Sequence, residues 1–136
     1  MRIVLDTNVF VSGIFFGGVP GRILDGWRDA RVQLVLSPEI LEEYQRVGQV
    51  LSAQYLGVDL EPFLGLLAVQ AEIVEAPSLT ERVSADPDDD KFLACAISTG
   101  VAVIVSGDKD LLDQSGWRSI RVLRPRQFAD EFLLEK

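Results

Sequence analysis

QLVLSPEILEEYQRVGQVL (33–51) is the stretch that decides the fold class. QLVLS (33–37) is a short apolar run that reads as a strand. Ser37 then suits a helix N-cap, and Pro38 suits the first helical position. Ile40, Tyr44, Val47 and Leu51 follow at helical spacing and define one apolar stripe. A buried strand that runs straight into a capped helix is half of a βαβ unit.

The same alternation extends outward in both directions. RIVLD (2–6) reads as a buried strand and VPGRILDGWRDA (19–30) as a helix. Beyond a glycine-containing break at 57–58, DLEPFLGLLAVQA (59–71) reads as a helix, with Pro62 near its first turn. EIVEA (72–76) is a short strand candidate. DPDDDKFLACAISTG (86–100) reads as a helix that Gly100 can terminate. VAVIVS (101–106) is the most β-branched run. SIRVLR (119–124) is a last strand and PRQFADEFLLE (125–135) a last helix. There is no internal repeat, low-complexity tract or Pro/Gly/Ser linker. Continuous apolar strands alternating with helices imply a parallel sheet covered on both faces. The expectation is one α/β domain over 1–136: a three-layer α/β/α sandwich with a central, mainly parallel sheet of four to five strands.

Composition narrows the chemistry. With 48% hydrophobic residues, the 136-residue chain can bury a core. A single cysteine, Cys95, excludes an intramolecular disulfide framework. It lies in an apolar helical pattern and reads as a buried thiol. The absence of histidine removes imidazole ligands, Ser-His triads and Cys-His dyads. Acid–base or metal chemistry must therefore run mainly on carboxylates. Only three apolar residues separate Arg2 from Asp6, too few for a signal-peptide core. No apolar run approaches the roughly 18 residues of a membrane span. A cytoplasmic protein without membrane contact is the expectation. A net charge of −8 argues on its own against a nucleic-acid binder. Arg118, Arg121, Arg124 and Arg126 nevertheless gather near the C-terminus. They read either as a segregated RNA-binding patch or as a solvated, partly paired surface.

In parallel sheets, sites lie beyond the carboxyl ends of the strands. Asp6 ends the first strand, and Asp108 in VIVSGDKDLL ends the strongest one. Helical phase at about 100° per residue adds two more acids. In the helix after Ser37, Glu42 falls nearly opposite the apolar stripe. Glu43 falls near it, three residues from Ile40 and four from Val47. In 86–100, Phe92, Leu93, Ala96 and Ile97 define the stripe, and Asp89 lies on its centre line. Asp86 with Pro87 reads as the helix start, with a supporting role for Asp86 left open. Asp88 and Asp90 are expected in solvent, where they suit the helix dipole. Asp6, Glu43, Asp89 and Asp108 are thus the candidate catalytic and metal-binding residues. Converging without cations, they would repel one another and raise each other's pKa. Mg²⁺ or Mn²⁺, as one or two ions, relieves this and suits phosphodiester hydrolysis without histidine.

Other residues carry paired readings. Asn8 either orients Asp6 or contacts the scissile phosphate, or with Thr7 forms an Asx turn. Ser106 either holds Asp108 or a metal-bound water, or starts a turn. Asp110 reads first as the N-cap of a short DLLDQ turn and second as a supporting acid. Gly13, Gly17 and Gly18 read as loop glycines. Phe15, Phe16, Trp27 and Trp117 read as core or interface packing before base stacking.

Taken in order, these motifs resemble the PIN-domain family, most closely the toxin components of bacterial toxin–antitoxin pairs near the VapC ribonucleases. VLDTNVFVSG (4–13) is similar to the opening motif, and LSPEILEEY (36–44) to the segment bearing the second acid, which falls at Glu43. DPDDDKFLACA (86–96) resembles the third-acid segment, with the acid at Asp89. VIVSGDKDLL (103–112) resembles the fourth motif, with Ser106 as its hydroxyl residue and Asp108 as its acid. RVLRPRQFADEF (121–132) is similar to the closing strand and helix. The resemblance runs nearly end to end. It implies a metal-dependent endonuclease for single-stranded RNA, a homodimer, and inhibition by a cognate antitoxin. Two rivals stay open: a non-catalytic PIN-fold module that binds RNA or antitoxin, and a haloacid-dehalogenase-like phosphatase. The phosphatase needs a second acid two residues after the first, where this chain has Asn8.

Overall fold

The computed structural model describes residues 1–133. Five parallel strands form one sheet: β1 (Arg2–Leu5), β2 (Gln33–Leu36), β3 (Glu72–Ile73), β4 (Val103–Val105) and β5 (Arg121–Leu123). Their order across the sheet is β3-β2-β1-β4-β5. The chain winds outward from β1 to β3, then crosses back to lay β4 on the other side of β1. The switch between β1 and β4 places the carboxyl ends of these two strands side by side. Val4 pairs with Ile104 and Leu5 with Val105. The strands read as unbroken apolar runs because helices cover the sheet. Ile3, Val4, Leu5, Leu34, Val35, Leu36, Ile104 and Val105 are all buried.

The helices are α1 (Thr7–Phe15), α2 (Gly18–Arg28), α3 (Pro38–Gln54), α4 (Glu61–Gln70), α5 (Asp90–Thr99), α6 (Lys109–Leu112) and α7 (Pro125–Phe132). Helix α3 begins as its sequence requires: Ser37 Oγ accepts from the Ile40 amide at 3.3 Å, with Pro38 in the first turn. At the end of α5, Gly100 takes the left-handed conformation (φ +73°) that a C-cap needs. The last helix is shorter than expected, and positions 134–135 lie outside the described residues.

Three local expectations fail, each for a physical reason. Gly13 was expected in a loop and an Asx turn stood open at Thr7 and Asn8, but residues 7–15 form α1. Their β-branched composition is overridden by burial of Val9, Phe10, Val11, Ile14 and Phe15 against the core. Gly13 is therefore not a loop glycine. It lies in α1 where α2 passes closely, so that a Cβ there would come within 2.7 Å of Leu24 Cδ1 and 2.9 Å of the Pro20 carbonyl. The helix expected over 86–100 divides into a 3-10 turn, Pro87–Asp89, and α5. Its phase drifts, and Ile97 is 37% exposed instead of buried. Asp90, expected in water, turns back to accept from the amides of Val83 (2.9 Å) and Ser84 (2.7 Å). It ties down the loop before the turn.

Among the aromatic residues, Phe15 and Trp27 are core. Phe16 is 59% exposed, with its ring edge-on to Tyr55. Among the described residues, no helix is long and apolar enough to cross a membrane.

Candidate active site

The carboxyl ends of β1 and β4 supply the first half of the site. The Asp6 amide donates to the Val105 carbonyl at 2.9 Å, which sets Asp6 beside Ser106. Ser106 Oγ then donates to Asp6 Oδ2 at 2.6 Å and accepts from the Asp108 amide at 3.0 Å. Ser106 is wholly buried, so its hydroxyl links Asp6 to the loop that carries Asp108. Asp108, and not Asp110, caps α6. Its Oδ1 accepts from the Asp110 amide at 3.1 Å.

Helices supply the second half. Tyr44 donates to the Leu5 carbonyl at 2.5 Å and stacks on Phe10 with centroids 4.2 Å apart. This pins α3 to β1 one residue before Asp6 and turns the neighbouring Glu43 inward. Glu43 is buried (8% exposed), while Glu42 lies in solvent and pairs with Arg46. Thr7, at the start of α1, donates its hydroxyl to Glu43 Oε1. Lys91 Nζ lies 2.7 Å from Glu43 Oε2. On the 3-10 turn, Asp89 is buried (7% exposed), whereas the Asp88 side chain is 75% exposed. Asp86 Oδ1 accepts from the Asp88 amide at 3.0 Å and so starts the turn.

Asp6, Glu43, Asp89 and Asp108 thus come from four separate segments to one end of the sheet. Burial raises the pKa of Asp6. Hydrogen bonds from Ser106 and the Asn8 amide oppose that rise, and the charges of Asp108 and Glu43 add to it. Asp89 is pushed up to about 8, first by burial, then by a hydrogen bond with the Asp108 side chain, then by the charges of Asp108, Asp6 and Asp86. Burial alone would lower Lys91, but its contacts with Glu43 and Asp88 outweigh it and leave the ammonium raised. The site holds negative charge that the protein itself only partly compensates.

Asp89 Oδ2 is buried without a hydrogen-bond partner. Such an orphaned carboxylate oxygen is costly unless a cation or proton meets it. Asp89, Asp108 and Asp110 offer oxygens that all lie within 4.8 Å of one another. This donor set of oxygens alone fits a hard divalent cation. Asp110 therefore stands with the acids instead of capping a turn. Beside Glu43, a groove of about 520 Å³ opens between α3, residues 78–82 and the start of α5, with Arg46, Arg82 and Lys91 among its lining.

Other expected residues fall differently. Asn8 is exposed on the first turn of α1, and its amide, not its side chain, serves Asp6. The four arginines form no single path. Arg118 packs over the Trp117 ring at 5.0 Å, and Arg121 is held by Glu131 at 2.7 and 2.9 Å, both at the entry to β5. Arg124 and Arg126 are exposed at its exit, toward the acidic end of the sheet. Sequence reasoning missed Lys91 and the Thr7 bond. Periodicity locates apolar faces, and it does not tell which charged side chain of α5 meets which acid of α3.

Comparison with known proteins agrees with this geometry. The chain is 32% identical over 144 aligned positions to an uncharacterized protein of Methanocaldococcus jannaschii, with 97% of this chain and 92% of the relative covered. A PIN-domain model matches residues 2–110, which span Asp6, Glu43, Asp89 and Asp108. PIN domains are generally nucleases, and the acidic cluster is compatible with a divalent metal. The five-stranded parallel sheet, the acid-bearing strand ends and these matches together assign the chain to the PIN-domain family.

Proposed function

We propose that the protein is a Mg²⁺- or Mn²⁺-dependent endoribonuclease that hydrolyses phosphodiester bonds in single-stranded RNA. The orphaned, buried Asp89 oxygen among converging acids carries the reading. A protein gains nothing in stability from such an arrangement unless a cation completes it. Asp89, Asp108 and Asp110, with Asp6 beside them, would hold the metal. A bound divalent ion supplies Lewis-acid polarisation of the phosphate and of the attacking water.

The chain's own residues prepare that chemistry. Ser106 fixes the Asp6 carboxylate through Oδ2. Thr7 and Lys91 hold Glu43 from two sides, so its orientation is set before substrate arrives. Such preorganisation spares reorganisation when the reaction occurs. The groove beside Glu43 gives a flexible strand room to lie, and Arg124 and Arg126 offer phosphate contacts near the sheet's acidic end. Duplex recognition would need a broader basic surface than this chain carries.

The biological setting we propose is the toxin of a toxin–antitoxin pair, acting in the cytoplasm as a homodimer and restrained by a cognate antitoxin. The resemblance of its motifs to VapC-like ribonucleases supports this. A short adjacent reading frame encoding a DNA-binding motif and a disordered tail would support it further.

The test is cleavage of labelled single-stranded RNA with Mn²⁺ or Mg²⁺, comparing wild type with Asp6→Asn. Metal-dependent cutting that the substitution removes is expected. Equal cutting by both proteins rejects the nuclease assignment for the substrates used. A covalent aspartyl-phosphate at Asp6 would instead favour the phosphatase.

A further inference from the structure

The acids of the site are not equally short of positive charge. Among the described residues, no lysine or arginine forms a salt bridge with Asp6, Asp89, Asp108 or Asp110. Glu43 differs. Its Oε2 lies 2.7 Å from Lys91 Nζ, and its Oε1 accepts from Thr7. Arg46 adds a longer contact at 3.7 Å.

Nor is Lys91 a wandering surface lysine. Its side chain is only 17% exposed. Its ammonium has three N–H donors and three acceptors around it: Glu43 Oε2, the Asp88 carbonyl at 2.8 Å and Asp88 Oδ2 at 3.2 Å. The same nitrogen lies 5.0 Å from the Phe92 ring centroid, a further favourable setting for a cation. A fixed charge of this kind cannot dissociate as a metal ion can. It also repels any divalent ion that would settle on Glu43.

We infer that Lys91 is the site's built-in second cation: it occupies Glu43, so the acidic centre takes one divalent ion, on the side of Asp89, Asp108 and Asp110. The inference rests on the metal-dependent reading above and adds to it a count and a place. Lys91 is then a positioning residue, because it acts through Glu43. It also makes the site's metal requirement a single-site dependence.

The experiment counts Mn²⁺ bound per full-length chain, by isothermal titration calorimetry and by the electron paramagnetic resonance signal of free Mn²⁺. Wild type is expected to bind one ion. Lys91→Met is expected to bind two, because Glu43 is freed as a ligand. Lys91→Arg keeps the charge and should stay at one. Lys91→Met combined with Glu43→Gln should return to one. Circular dichroism establishes that each variant is folded. Two ions in wild type, or one ion in folded Lys91→Met, overturns the inference while leaving the metal-dependent reading intact. If Lys91→Met does not fold, two ions in Lys91→Arg overturns it equally. No ion in wild type overturns both.

Discussion

Asp89→Asn should make the metal-free protein more stable. The folded-state pKa of Asp89 is about 8, against 3.8 ordinarily. The folded protein thus holds a proton that the unfolded chain releases once the pH exceeds its ordinary value. A raised carboxyl contributes no penalty below the unfolded pKa. Stability is then lost steadily as pH rises, until the folded pKa is passed. At pH 7 the solution is about three pH units above the unfolded value, and each unit is worth about 1.4 kcal/mol. The penalty therefore reaches about 4 kcal/mol at most, less whatever part Asp108 takes by sharing the proton. Asparagine has nearly the same shape, no charge at any of these pH values, and an amide that can donate to Asp108. A gain of about 2–4 kcal/mol is expected, or roughly 5–15 °C in Tm for a chain of this size. Thermal and urea unfolding in EDTA from pH 5 to 8 should show the gap between variant and wild type widening with pH. Mn²⁺ at about 100 times its Kd should then raise wild type by about 2.7 kcal/mol and the variant by much less. A variant less stable than wild type in EDTA at pH 7, or a gap indifferent to pH, would refute the reasoning.

Three further outcomes follow from packing and hydrogen bonding. Gly13→Ala should lower stability by about 1–3 kcal/mol in urea unfolding, because its methyl group meets Leu24 and the Pro20 carbonyl. Tyr44→Phe should cost about 1–2 kcal/mol by leaving the Leu5 carbonyl without its buried donor, and cleavage should slow as Glu43 loosens. Thr7→Val should leave the Mn²⁺ count unchanged but cut kcat by about tenfold, by releasing one oxygen of Glu43.

The strand–helix alternation, the parallel sheet and the burial of Glu43 and Asp89 were all legible in the sequence. Each rests on a periodicity that burial enforces. Asp6 and Asp108 were legible from a topological rule, that strand ends in parallel sheets carry sites. What could not be read was contact across sequence distance. The Thr7–Glu43 bond spans 36 positions and the Ser106–Asp6 bond spans 100. No local pattern encodes either. Helix α1 went unassigned and Gly13 was read as a loop glycine because β-branched composition argues against a helix where tertiary burial selects one. Asp90 was misjudged because helical phase says where a side chain points, not which loop amides will come to meet it.

The strand order has a consequence for the order in which the site assembles. Asp6 follows β1, yet its partner Ser106 and neighbour Asp108 follow β4, about a hundred positions further along the chain. Pairing β4 against β1 is the long-range closure that slows folding of parallel sheets. A nascent chain still lacking β4 has its first acid but no companion at that strand end. The acidic centre is therefore completed in one step, when β4 docks on β1.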